Sequence, residues 1–425
     1  MDTEDLNAWL RLTLTPGVGN VAACALLRAF GGPQAVFLQS MSALQQVVSP
    51  AQARALRSVP PGLSDLLRTT LAWLQQSDHE STHRKIVSLA DADYPAALLS
   101  IDDPPLMLYL MGAATFVPNH PALPLNQASL ATDFASNLTP HAIIMDPDRS
   151  LAVVGSRNPT PQGESNARLF SKALSQAGLT IVSGMALGID AAAHLGALDN
   201  LDNTEPRALT LAVVGTGLDR VYPRVHRDLA HQIADHGMIV SEYPLGTPPL
   251  PANFPKRNRL IAALTRGTLV VEATLRSGSL VTARMSAELG RDVFAVPGSI
   301  HAVQSRGCHA LIKQGAKLVE SAQDILDELA LTDAKPLSTA LAMKATVSTQ
   351  DSMDLIALCA ETTSVSGQSD CDLLPAMGFD PLGLDALQVR TGLDAAALQV
   401  HLMTLELSGQ IARLPGGLFV RLAQA

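Results

Sequence analysis

Six short apolar runs between Leu151 and Glu320 constrain this chain more than any other feature. Ala152-Val153-Val154 leads into Gly155-Ser156-Arg157, and Thr180-Ile181-Val182 into Ser183-Gly184. Leu211 to Val214 leads into Gly215-Thr216-Gly217, Ile239-Val240 into Ser241-Glu242, Leu269-Val270-Val271 into Glu272-Ala273-Thr274, and Val293 to Val296 into Pro297-Gly298. Short, nearly continuous apolar runs are the pattern of parallel strands buried on both faces. Helical spacing separates them; Phe170, Ala173, Leu174 and Ala177 fall on one helix face. The alternation predicts an α/β protein with an open, doubly wound parallel sheet. Such sheets bind ligands beyond the carboxyl ends of their strands.

At 425 residues, 47% hydrophobic and 16% charged, the chain has room for two or three domains and a large core. The net charge of -9 makes the whole chain no magnet for nucleic acid, so any such binding needs a local basic patch. Met1 to Asp5 lacks a signal-peptide pattern, and no apolar run is long and charge-free enough to span a bilayer. A cytoplasmic protein without a membrane span is the expectation. Cys24, Cys308, Cys359 and Cys371 are scattered, which disfavours a metal cluster and a disulfide framework.

Residues 1–85 read as a small helical domain, whose Pro16-Gly17-Val18-Gly19 turn resembles that of a helix-hairpin-helix; with basic residues sparse around it, a tight turn in a helical bundle is the favoured reading. Residues 86–330 hold the α/β domain, opened by an extended Asp103-Pro104-Pro105 turn and a strand from Leu106 to Tyr109. Within it, Ala113 to Arg149 is rich in Pro, Asn, Ala and Ser and reads as an inserted, mobile loop. Residues 331–372 read as a linker. In 373–425, Leu398, Leu402 and Leu405 share a helix face, and a hairpin turns at Pro415-Gly416-Gly417. Helices followed by a hairpin describe a winged helix. Asp394, Gln399, His401 and Glu406 on its second helix suit protein contact or weak DNA contact better than groove reading.

Four stretches at strand ends point to phosphate. Gly155, Ser156, Arg157 and Thr160 occupy a strand-to-helix turn, where a guanidinium can fork two phosphate oxygens; alternatively Arg157 caps a carboxylate. The stretch is not Gly-x-Gly-x-x-Gly and no acidic residue ends the second strand, which disfavours a nicotinamide cofactor. Ser183 and Gly184 begin a second turn, in which Asp190 is a candidate helix cap and His194 reads as a structural hydrogen-bonder. Phe254, Lys256, Arg257, Asn258 and Arg259 set three cations and a stacking ring at a helix start, against the helix dipole. Arg276, Ser277, Gly278 and Ser279 open another helix as an anion site. Several phosphate loops on one rim suit a run of phosphates. Glu242 and Glu272 end strands and read as holding nearby loops or arginines; the rival assigns them to a nucleotide or nucleoside-phosphate hydrolase. Neither a catalytic triad, a metal cluster nor a nucleoside-triphosphate loop stands out, so no catalytic residue, metal or cofactor is assigned.

These stretches, taken in order, resemble the DprA/Smf family of DNA-processing proteins. The matching text is Val153 to Arg157 with Thr160 and Gly163; Ser183 to Asp190 with Ala193-His194; Gly215 to Asp219 with Tyr222-Pro223; Phe254 to Arg259; Ser277 to Ala283; Gly290-Arg291; and Phe294 to Gly298. The resemblance implies an extended Rossmann-like fold between a sterile-alpha-motif-like helical N-terminal domain and a C-terminal winged-helix domain. It also implies sequence-independent binding of single-stranded DNA, with Arg157 and the Lys256 to Arg259 cluster as main contacts. It further implies a non-enzymatic homodimer that loads RecA onto that DNA in natural transformation, alongside single-strand-binding protein. Gln162 and Leu187 depart from the family pattern, which has an aromatic and an arginine there.

Overall fold

The computed structural model describes residues 1–76, 82–116, 143–201, 207–329, 373–377 and 381–422. The expected linker and most of the expected inserted loop therefore lie outside the described residues.

Six helices run from Thr3–Leu14 to Leu63–Gln75. Local chemistry starts several of them. Asp2 caps the first by accepting from the Asp5 amide, and Ser49 and Gln52 form a reciprocal capping box at Pro50–Arg57. These helices do not close a core of their own. Trp9, Leu26 and Trp73 belong to one hydrophobic cluster with Met107, Tyr109, Ala212 and Ile239 of the sheet. Trp73 meets Tyr109 edge-on, ring centres 6.1 Å apart.

The central sheet has nine strands: β1 (His83–Ser88), β2 (Met107–Gly112), β5 (Ser150–Val154), β6 (Thr180–Ser183), β7 (Thr210–Val214), β8 (Met238–Ser241), β9 (Gly267–Val270), β10 (Asp292–Ala295) and β11 (Lys317–Leu318). Their order is β1-β2-β8-β7-β6-β5-β9-β10-β11. From β8 to β11 every pairing is parallel, and β2 runs antiparallel to β1 and β8. The six expected strands are all present. Leu151 and Val153 bury on one face and Ala152 and Val154 on the other, which is why the run shows no polar alternation. β1 begins ahead of residue 86 and was not expected; its first half, His83-Arg84-Lys85, is polar and half-exposed.

The segment read as an irregular loop from Ala113 is ordered at both ends. β3 (Ala114–Phe116) pairs in parallel with β4 (Ile143–Met145), burying Phe116 and Met145. Three-residue strands carry too little periodicity to be seen in sequence.

Near the C-terminus, the Leu384–Thr391 and Ala395–Leu407 helices precede a hairpin of β13 (Ile411–Leu414) and β14 (Leu418–Arg421). Leu398, Leu402 and Leu405 are buried together, as the spacing predicts. A short strand β12 (Leu382–Gly383) joins β14 and completes a three-stranded winged-helix sheet.

Candidate nucleic-acid interface

The strand order reverses between β5 and β9. The chain leaves β5 toward β6 on one side, while β9 continues to β10 on the other. A crevice must open there beyond the carboxyl ends. The two strands stay joined just past their ends, the Ser156 amide donating to the Glu272 carbonyl at 2.8 Å. Above them lies a cavity of about 740 Å³. Gly155, Ser156 and Arg157 line one wall, Phe254, Arg257 and Asn258 a second, and Ser277, Gly278 and Ser279 a third. Nine of the fifteen residues singled out from sequence thus converge on it.

Arg157 is exposed and forms no ion pair among the described residues, so it does not cap a carboxylate. Its guanidinium carbon sits 5.6 Å from the centre of the Phe254 ring. On its other contacts Phe254 meets Gly215, where an added Cβ would stand 3.2 Å from a ring carbon, and Tyr222, ring centres 5.6 Å apart.

Arg257 is 3% exposed. One Nη donates to the Val213 carbonyl at 2.8 Å, and its buried Nε has no hydrogen-bond partner. Burial pulls its pKa down to about 10, against the opposing pull of Asp190. Asp190 is pushed up by burial and held back by Arg257. It does not cap its helix, a role taken by Gly188. Its carboxylate instead accepts from the amides of Gly184 and Ala186, at 3.2 and 3.3 Å. Gly184 serves by having no side chain, since a Cβ there would run into the Arg257 guanidinium.

The other six residues stand outside the cavity wall. Ser183 is buried and bonds the Val153 carbonyl across the sheet at 2.7 Å. Thr160 gives its amide to Glu272 at 2.9 Å and its hydroxyl to the same carboxylate. Lys256 is exposed, its Nζ 3.8 Å from Glu242. Arg259 is buried against Glu242 and lies 3.2 Å from Asp103. Arg276 faces solvent. Glu242 and Glu272 therefore hold an arginine and a loop, as the sequence favours. The loop at Ser277 offers fewer amides than its sequence suggests. Ser277, Leu280 and Val281 donate internally, and the Ser277 and Ser279 hydroxyls bond each other at 2.7 Å. Arg157 and Arg257 are thus the two cations that line the cavity.

Sequence reasoning missed a second groove of about 580 Å³, which shares Tyr222 and Pro249 with the first. Arg84, Arg220, Arg224, Arg227 and His231 line it over Met111, Leu218 and Val221. Arg220 is paired with Asp219. Arg224 and Arg227 are exposed, with no ion pair among the described residues. The signal was Tyr222-Pro223-Arg224-Val225-His226-Arg227, a local basic run in an acidic chain.

Among the described residues, no group of three or more His, Cys, Asp or Glu is placed to hold a metal ion. No described helix is long and apolar enough to cross a membrane.

The class defined by this architecture is a Rossmann-type protein flanked by a helical segment and a winged helix, with arginines and aromatic rings at its switch point. Comparison with known proteins gives the family. Residues 142–330 match the family model of DNA recombination-mediator protein A, and residues 366–417 match the DprA winged helix domain. Protein Smf of Escherichia coli is 37% identical over 365 residues, covering 84% of this chain and 82% of that one. DNA processing protein DprA of Streptococcus pneumoniae is 49% identical over 178 residues, 42% of this chain and 61% of that one. The X-ray structure of the Streptococcus pneumoniae protein superposes with a TM-score of 0.56 at 32% identity, covering 77% of this chain and 98% of that one. The chain belongs to the DprA/Smf family.

Proposed function

We propose that this chain is a non-enzymatic recombination mediator that binds single-stranded DNA without sequence preference. The observation that carries the reading is the convergence of guanidinium groups and two aromatic rings on two adjoining grooves. Arg157, Arg257 and Phe254 line one groove and Arg224 and Arg227 the next, with Tyr222 at their junction. Phosphates along a strand need spaced cations, and unpaired bases need ring faces. A duplex hides its base faces and makes no use of the rings. Of the residues singled out from sequence, Arg157, Arg257, Asn258 and Phe254 are assigned to the strand path. Gly155, Ser156, Ser277, Gly278 and Ser279 shape its wall, Lys256 and Arg276 are exposed cations outside that wall, and Thr160, Ser183, Gly184 and Arg259 hold it in place. The family name of recombination mediator supports a role in handing DNA to RecA, and natural transformation, single-strand-binding protein, a homodimer and a cytoplasmic setting complete the proposal.

The test is fluorescence anisotropy of labelled oligo-dT across a salt series. Tight binding that weakens with salt, and weakens further in an Arg157→Ala, Lys256→Ala double variant, is the expected result. RecA filament formation on DNA coated with single-strand-binding protein tests the loading step. No binding by folded wild type at low salt overturns the reading, and turnover of nucleotides by the same sample would favour the hydrolase.

A further inference from the structure

We infer that Tyr222, rather than Phe254, offers the open ring face on which a base stacks, with Phe254 acting as its positioning residue. The inference rests on the single-stranded DNA reading. Phe254 is half-buried and already engaged, by the Arg157 guanidinium at 5.6 Å, by the Gly215 backbone and by the Tyr222 ring. Tyr222 is 45% exposed, and of the two rings it alone lines both grooves. A base cannot enter between the rings. Their centres are 5.6 Å apart and tilted by 35°, whereas a sandwiched base needs about 7 Å, twice the 3.4 Å stacking rise. The base therefore stacks on the outer face of Tyr222. Its two flanking phosphates then lie on either side of that ring, one toward Arg157 and one toward Arg224 and Arg227. Phe254 fixes the Tyr222 ring from behind, and Arg157 fixes Phe254. This arrangement predicts that a strand crosses from groove to groove at one stacked nucleotide.

The experiment uses the full chain and dT oligonucleotides carrying one 2-aminopurine at successive positions. Fluorescence quenching reports stacking, and anisotropy across a salt series reports affinity and phosphate count. Tyr222→Phe should keep both quenching and affinity. Tyr222→Leu should lose the quenching and bind about 5- to 150-fold more weakly, the loss of one stacked base, with the salt slope unchanged. Phe254→Leu should weaken binding less and leave part of the quenching. Unchanged quenching in Tyr222→Leu, or its complete loss in Phe254→Leu alone, overturns the inference while leaving single-strand binding intact. Failure of the wild type to bind any oligonucleotide overturns the single-strand reading and the inference with it. Thermal melts of each variant separate a missing ring face from an unfolded chain.

Discussion

The Arg157 guanidinium lies over the Phe254 ring, 5.6 Å from its centre, and pairs with no carboxylate among the described residues. The cation is thus held in place by an apolar surface while its charge stays available. Arg157→Ala should leave the melting temperature nearly unchanged, because the side chain is exposed and bears no ion pair. Binding of oligo-dT should fall about ten- to a hundredfold, the range for a charged hydrogen bond. The salt slope should drop by about 0.7 for each phosphate that is no longer neutralised. Arg157→Lys should recover part of the affinity but not all, since a point charge replaces a planar fork. Anisotropy titrations at several salt concentrations check all three expectations.

Gly184 gives a sharper test of what the second turn does. Its Cα faces the Arg257 guanidinium so closely that a methyl group cannot fit without moving it. In Gly184→Ala, Arg257 must swing away from the Val213 carbonyl and from Asp190. The expected result is weaker DNA binding with a loss of stability of about 1–3 kcal/mol from the broken buried hydrogen bond. A direct phosphate contact by the Gly184 amide predicts otherwise, because that amide survives the substitution. It is in any case occupied by Asp190. Affinity and urea unfolding of the single variant separate these accounts.

The sheet was legible because parallel strands buried on both faces leave unbroken apolar text, as in Leu151 to Val154. The cavity was legible in part because topology sends every strand end to one rim. The stretch read as one cluster, Lys256, Arg257 and Arg259, is divided in space. On a helix each residue turns by about 100°, so neighbours face different ways. Arg257 lines the cavity, whereas the exposed Lys256 and the buried Arg259 both lie at Glu242. The second groove was only partly legible, in the basic run Arg224 to Arg227, because the fold adds Arg84 from β1 and His231 one turn along the Arg227–His236 helix. β12 is two residues long, and a short strand of that kind is defined by its partner rather than by its own residues.

Arg259 and Glu242 form a nearly dry ion pair, with side chains 9% and 4% exposed. Burial pushes the Glu242 carboxyl up, and Arg259 and Lys256 pull it back. Arg259→Leu strands a buried carboxylate and should cost about 3–5 kcal/mol. The Arg259→Leu, Glu242→Leu double variant should recover much of that loss, since the uncompensated charge is gone. Chemical denaturation of the two singles and the double closes the cycle. DNA affinity of the folded double variant should stay within a few-fold of wild type, because neither side chain lines the cavity.

His194 is fully buried and shares a 2.6 Å hydrogen bond with Thr210. The Thr210 hydroxyl donates to the Ile181 carbonyl at 2.7 Å, so its oxygen accepts and His194 Nδ1 carries the proton. Nε2 is then a buried lone pair without a partner. A second proton would place an unpaired charge in the core, and burial, with His226 and Arg257 nearby, lowers the pKa to about 3 from 6.5. Below pH 6.5 the unfolded chain takes up a proton that the folded chain refuses. The stability contributed by neutral His194 is therefore complete above pH 6.5 and is lost as pH falls toward 3, by up to about 1.4 kcal/mol per pH unit. His194→Gln should be less stable than wild type at pH 7, because its amide replaces the ring imperfectly. Between pH 6 and pH 4 its stability should fall less steeply, by about one proton's worth of slope. Urea unfolding followed by far-ultraviolet circular dichroism at half-unit pH steps reads the difference, and parallel profiles for the two proteins would show that His194 is charged inside the fold.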